Sequence, residues 1–431
     1  MSEKPALLFL SPTVPALGGN GLAMRMGAFL EAYARDFQVT LVILPLAGAA
    51  PPAELPAFLQ AHTHRVITLP LEQIFHPLFQ LINRHRSPEM RRAALRAYPR
   101  PRPLFYDPIA TGELLAGLLG EQSFSLVHTG RLYLAPLAGP YFGKTRCVLD
   151  LDEDDAGTLR RIGRLLKLNG GEAVADTYDA DALKFDTLAS EFLPRFDVSV
   201  TATEEEAAAL RERYPGCAIG VIANTVRPAN PPAADSRLIE PIDFLMVGTL
   251  AYYPNADAAM FFCRDVLPRL GQAKPPPRLT ILGRAPPASV LALGSRPGVT
   301  VLADVADVAP YYGASAIAVV PIRAGGGSRI KILEAFAHDR PVVSTRFGAE
   351  GLSVVDGRHL LIAEGAEDFA AAAHRLLADR ALASRLAAAA RRLVEERYAF
   401  ELVARDIEAL AHPTGGVIEC ASAAKTRVRH D

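Results

Sequence analysis

The sequence predicts an α/β protein made of two doubly wound, Rossmann-like domains, and three observations carry that prediction. Short apolar runs alternate with longer helical patterns from Ala6 to Ile222, and the same rhythm restarts at Asp243. Between them, Arg227 to Pro241 holds four prolines and no periodicity, as an interdomain linker does. Glycine-rich turns at 18–21 and 325–328 each join a strand to a helix. Such turns admit a ligand close to the backbone and aim free N–H groups at an anion.

The elements follow in order. Ala6–Leu10 reads as the first strand, and the loop through Gly18, Gly19 and Gly21 opens a helix over 22–34. Val39–Leu44 and Arg65–Leu69 are further strands. Residues 78–102 differ in composition, with seven arginines, His85 and one acid, Glu89, behind the apolar Leu78, Phe79, Leu81 and Ile82. A basic amphipathic helix pair suits an anionic membrane surface, and a solvated helical insertion is the plainer alternative. Ser125–Thr129 is a strand carrying His128, followed by Gly130-Arg131. A histidine at the C-terminal edge of such a strand lies where ligands bind, and a core histidine is an equal alternative.

Cys147–Asp150 runs into Leu151-Asp152-Glu153-Asp154-Asp155. The run fails as a calcium loop, because Asp155 stands where glycine is needed and Arg161 where glutamate is needed. Capping of the next helix is the first expectation for these acids and a metal the last. An acceptor-facing role for Asp150 and Asp152 ranks between the two, with Arg131 beside them. Helical patterns fill 158–193, Val198–Thr201 is a strand, Thr203 starts a helix, and Ile219–Ile222 closes the first half. Strands then recur at Asp243–Val247, Leu279–Leu282, Val299–Leu302, Ile317–Ile322, Val342–Ser344 and Leu360–Ile362, before three alanine-rich helices.

Size and charge bound the function. The chain has 431 residues, half of them apolar, and a formal charge of −1, which gives no support for nucleic-acid binding. Cys147, Cys217, Cys263 and Cys420 form no C-x-x-C pair and read as reduced thiols of a cytoplasmic protein. The first residues are too short an apolar run for a signal peptide, and no stretch approaches the roughly 20 apolar residues of a membrane span.

The stretch 318–345 is the most specific. Strand, Gly325-Gly326-Gly327-Ser328, helix and strand follow without a gap, with Arg329 and Lys331 in the first helical turn. Positive charge there opposes the helix dipole, so a bound anion accounts for it. The spacing fits neither the G-x-x-x-x-G-K-[ST] loop nor the dinucleotide G-x-G-x-x-G. Pro321, Gly325, Gly327, Arg329, Lys331, Glu334, Ala335, Ala337, Pro341, Val342 and Val343 stand in the order of the donor segment of family 4 retaining glycosyltransferases, also called glycosyltransferase group 1. Gly248, Thr249, Tyr252, Pro254 and Asn255, with Gly348 to Gly351, continue the likeness, which spans about residues 6–411.

That resemblance implies the GT-B arrangement, two Rossmann-like domains facing across a cleft. The expected limits are an acceptor-side domain to residue 226, a donor domain over 242–397, a helix over 398–411 crossing back, and a disordered tail. It implies a nucleotide-diphosphate sugar as donor, a glycan, lipid-linked or small-molecule acceptor in cell-surface polysaccharide synthesis, and no cofactor or metal. By the same likeness Gly18, Gly19, Gly21, Arg25, Gly248, Thr249, Arg284 and the 325–328 turn are donor-binding. Arg329 and Lys331 neutralise the diphosphate, Glu334 takes the ribose, and His128 meets the reacting sugar. The chain departs from the family at Ala303, in place of a glycine, at His338-Asp339, in place of Met-Gly, and at three positions of the donor site. Gly326 replaces the first glutamate of E-x7-E, and Thr249 and Asn255 replace an arginine and a lysine. A GT-B epimerase or hydrolase, or a non-catalytic nucleotide-sugar-binding member, are the alternatives.

Overall fold

The computed structural model describes residues 4–47, 54–227, 240–270, 277–327 and 329–412. Most of the linker, the tail beyond His412, and the Ser328 and Cys420 assignments lie outside those residues. The chain divides into two compact units, residues 1–223 with 403–431, and residues 224–402.

The first unit holds seven strands: β1 (Ala6–Ser11), β2 (Gln38–Ile43), β3 (Arg65–Thr68), β4 (Leu126–Gly130), β5 (Arg146–Asp152), β6 (Val198–Thr201) and β7 (Ile219–Val221). They pair in the order β3-β2-β1-β4-β5-β6-β7, all parallel. Leu7 to Leu10 of β1 are all fully buried, so both faces of the sheet are covered, as in a doubly wound domain. The strand order reverses between β1 and β4, and ligands of open α/β sheets bind beyond the strand ends at such a point. The last helix, Phe400–Leu410, packs into this unit through residues 403–410. There Arg146 Nε donates to the Leu410 carbonyl (2.7 Å) and Arg35 pairs with Glu408 (3.2 Å).

The second unit holds β8 (Ile242–Val247), β9 (Leu279–Gly283), β10 (Val299–Ala303), β11 (Ser315–Val320), β12 (Val342–Ser344) and β13 (Leu361–Ile362). Their order is β10-β9-β8-β11-β12-β13, again all parallel, with the reversal between β8 and β11. Both sheets therefore have the doubly wound order that the alternating sequence pattern implies.

Loop ends are fixed by sterics. A Cβ at Gly283 would sit 1.9 Å from the Gly248 carbonyl oxygen, so the ends of β8 and β9 approach too closely for any other residue. The β1 loop is held similarly. Asn20 caps the helix Gly21–Ala34 by accepting from Ala23 N–H (2.8 Å). A Cβ at Gly27 of that helix would meet the Ala16 carbonyl at 2.2 Å.

Candidate functional site

The candidate residues fall into two sets, one in each unit. In the second unit the site forms at the ends of β8 and β11. A small cavity there is lined by Val247, Gly248, Asn255, Pro321, Ile322 and Lys331. Lys331 lies in the first turn of the helix Ile330–Ala337, which follows the glycine turn. Gly325 (φ 132°) and Gly327 (φ 69°) hold backbone conformations that side chains disfavour, which lets the turn fold back tightly.

Lys331 is half-buried, and its Nζ donates to Asn255 Oδ1 at 2.5 Å. Asn255 is itself buried, and its Nδ2 donates to the Thr249 carbonyl at 2.8 Å. Burial lowers the Lys331 pKa to about 7, Arg329 lowers it further, and Glu334 opposes the shift. Glu334, three residues on, has its pKa raised to about 7 by burial, against the pull of Lys331. Among the described residues its carboxyl group has no hydrogen bond or ion pair.

Arg329 is placed otherwise than the sequence led us to expect. Its guanidinium is buried and turned onto carbonyls, donating to Gly326 (2.6 Å), Gly327 (2.8 Å) and Phe347 (3.2 Å). It also lies 4.9 Å from the Phe347 ring centre and 3.7 Å from Glu350. It ties the glycine turn to the turn after β12. Gly248 and Thr249 end β8 beside the cavity. Arg284 follows β9, and its carbonyl accepts from Leu250 N–H (2.9 Å).

In the first unit Gly18 and Gly19 are exposed at the end of β1, with open space where a Cβ would stand. Gly21 starts the helix behind them. Arg25 is not available to a ligand: it is buried, grips Asp150 through Nε (2.8 Å) and Nη2 (2.7 Å), and donates Nη1 to the Ile222 carbonyl (2.8 Å). Asp152, two residues on and so on the same face of β5, also reaches Arg25 (3.7 Å). Asp150 is thus a structural anion and not an acceptor contact.

The remaining acids are neutralised in the same way. Arg131 pairs with Asp152 (3.2 Å), Glu153 (2.9 Å) and Asp155, and Arg213 pairs with Asp154. Asp154 occupies the helix N-cap without a side-chain capping bond. Asp154 and Asp155 thus stand at the helix start, as expected, and their side chains form ion pairs there in place of a capping bond. Among the described residues no three His, Cys, Asp or Glu side chains converge on a metal position.

His128 is a core residue. It is the middle residue of β4, fully buried, stacked on Phe9 (4.4 Å) and packed against Phe29 (4.7 Å). Tyr33 Oη lies 3.5 Å from its Nδ1, and its Nε2 has no partner among the described residues. Burial drives its pKa down to about 3, helped by Arg25. It faces side chains of the first helix where the sequence had suggested a sugar.

Sequence reasoning missed the part played by Asn255, which was visible only as an absent lysine. It also missed Arg323, whose paired bonds to Asp257 (2.9 and 2.6 Å) pin the exit of β11 to the helix Tyr253–Phe261.

The second unit carries a likeness to a known family. Residues 241–379 match the family model described as glycosyl transferases group 1. This segment is similar to the group 1 glycosyltransferases. A search of curated protein sequences returns no match. Solved glycosyltransferase structures share the whole GT-B fold with the chain. Sucrose-phosphate synthase from Thermosynechococcus elongatus aligns with a TM-score of 0.68 at 17% identity, over 95% of this chain and 98% of that one. A glycosyltransferase from Rickettsia africae ESF-5 aligns at 0.60 and 13% identity, over 96% and 100%. Anabaena HepE, solved with UDP-glucose, aligns at 0.61 and 15% identity, over 94% and 98%. At these identities the likeness concerns the fold.

Proposed function

We propose that the chain is a retaining glycosyltransferase that moves a sugar from a nucleotide-diphosphate sugar to a glycan, lipid-linked or small-molecule acceptor. The observation that carries this is the pairing of an ammonium held at the end of β8 with a carboxyl group one helical turn on. Lys331 and the turn amides suit a diphosphate, and the Glu334 carboxylate suits a ribose diol. The group 1 domain match covers these residues, and the similar Anabaena protein was solved with a UDP-sugar.

In the proposed reaction the bond from the sugar C1 to the phosphate oxygen breaks as the acceptor oxygen attacks the same face. The acceptor proton passes to the departing phosphate oxygen, giving a glycoside of retained configuration and a nucleoside diphosphate. Lys331 and the helix N-terminus stabilise the charge that develops on the leaving group. Arg329 supports this indirectly by fixing the turn. No cofactor is assigned.

The helix Pro77–Arg84 exposes Leu78 and Leu81 (55% and 64%) on one face, with Arg84, Arg86 and Arg96 exposed nearby. We assign this patch to peripheral contact with an anionic membrane, which suits a lipid-linked acceptor and a cytoplasmic enzyme. Not every arginine of the segment serves it: Arg102 pairs with Asp181 and lies over Tyr178 (4.6 Å).

The test is product analysis by NMR with UDP-, GDP- and ADP-sugars against an acceptor panel. A product with the donor's anomeric configuration supports the proposal. An inverted product, or an epimerised or hydrolysed donor without transfer, overturns it.

A further inference from the structure

We infer that Asn255 is the positioning residue that presents the Lys331 ammonium to the diphosphate of the nucleotide sugar. This rests on the donor site proposed above. The amide can sit only one way round. Its Nδ2 meets the Thr249 carbonyl (2.8 Å), and its Oδ1 meets the lysine Nζ (2.5 Å). Turning it over would set donor against donor and acceptor against acceptor.

The amide is itself well held. Asn255 is 8% exposed, its backbone N–H donates to the Tyr252 carbonyl (2.9 Å), and a Cβ at Gly248 would lie 2.9 Å from its Nδ2. Gly248 therefore makes room for the amide. Thr249, Asn255 and Lys331 form a relay from the end of β8 to the first turn of the helix after β11, across the point where the strand order reverses.

The relay has a functional consequence. Asn255 is neutral and Arg329 is turned onto carbonyls, so Lys331 is the cation this turn offers to a ligand in the cavity. The charged and titratable groups facing it are Arg329 and Glu334 of its own segment and Tyr312, whose hydroxyl donates to the Lys331 carbonyl (3.4 Å). The cavity beside it is lined from β8 and β11 by the apolar Met246, Val247, Val319 and Val320. With its pKa lowered to about 7, the lysine is charged below that pH and neutral above it. A bound diphosphate favours the charged form, so donor binding takes up a proton above pH 7. The lysine's contribution to donor affinity is then full below about pH 7 and falls as pH rises, by up to about tenfold per pH unit, while Glu334, with its pKa raised to about 7, loses its charge below that pH.

The experiment is calorimetric titration of the full chain with UDP-glucose, GDP-mannose and ADP-glucose between pH 6 and 9.5. The wild type is compared with Asn255→Leu, Asn255→Asp and Lys331→Met, each first checked for a native unfolding transition. These probes carry no phosphate group that titrates in that range. Asn255→Leu removes the acceptor of the ammonium, so the fall in affinity moves to lower pH, with about tenfold weaker binding at pH 7.5. Asn255→Asp adds a carboxylate beside the ammonium and moves the fall to higher pH. Lys331→Met abolishes the fall in affinity above pH 7. A residue that only supported the fold would not shift the profile in opposite directions. If both Asn255 variants keep the wild-type midpoint while Lys331→Met is weak and lacks that fall, the positioning role is wrong and the donor site stands. If Lys331→Met binds as the wild type does, or the wild type binds none of the three probes, the donor site fails and the positioning role with it.

Discussion

His128 shows how a single residue changes meaning between sequence and structure. The run Leu126-Val127-His128-Thr129 could be read with the histidine at the strand edge. The chain sets it at the middle of β4, between Phe9 and Phe29. Its stability effect can be signed. The folded pKa is about 3 and the unfolded value is ordinary, so between about pH 3 and 6.5 the unfolded chain binds more protons. Stability therefore falls as pH drops through that window, by up to about 1.4 kcal/mol per pH unit from this residue. His128→Leu is expected to cost no more than about 1.5 kcal/mol at pH 7 and to flatten the acid limb in urea unfolding. Unchanged acid sensitivity would show that the imidazole is not held neutral. The place of Glu334 on the helix after β11, one turn beyond Lys331, was legible because R-x-K-x-x-E fixes it by spacing. Arg329 was half legible: its position follows from the same spacing, but nothing in the spacing tells that its guanidinium turns back onto the loop carbonyls.

At the scale of elements, the contact between the first helix and β5 depends on a buried ion pair. Arg25 and Asp150 lie under the helix, close to fully buried, with the Ile222 carbonyl taking the third bond. Removing one partner leaves a buried charge uncompensated. Arg25→Ala is expected to cost about 3–5 kcal/mol in denaturant unfolding, and Arg25→Met with Asp150→Leu to recover most of it. A double variant as unstable as the single one would mean that helix packing, and not the stranded charge, sets the loss. Gly283→Ala tests the other unit, where the new methyl would collide with the Gly248 carbonyl, and a loss of about 1–3 kcal/mol is expected. The elements themselves were readable because each strand is a short apolar run closed by glycine, proline or a helix cap. The acidic run after β5 was not, since its partners Arg25, Arg131 and Arg213 come from distant parts of the chain.

For the whole molecule, two parallel sheets with the same reversal of strand order follow from the repeated βα rhythm and the proline-rich interval between its halves. Fold class was therefore legible without any partner information. The donor and acceptor identities were not, because the position where related enzymes carry the first glutamate of E-x7-E is Gly326. The exposed leucines of the helix Pro77–Arg84 lead to a prediction at this scale. The protein should sediment with vesicles containing anionic lipid at low salt and be released as salt rises, while Leu78→Ser with Leu81→Ser remains in solution. Equal partition of that variant and the wild type would remove the membrane assignment. In the proposed function the turn after β11 binds a nucleotide sugar through Lys331 and Glu334. The direct measurement is a thermal-shift screen of UDP-, GDP- and ADP-sugars on the wild type and Glu334→Ala. One donor class is expected to raise the wild-type Tm in a concentration-dependent way, and Glu334→Ala to lose most of that rise. The same shift in both proteins, or none from any donor, would contradict it.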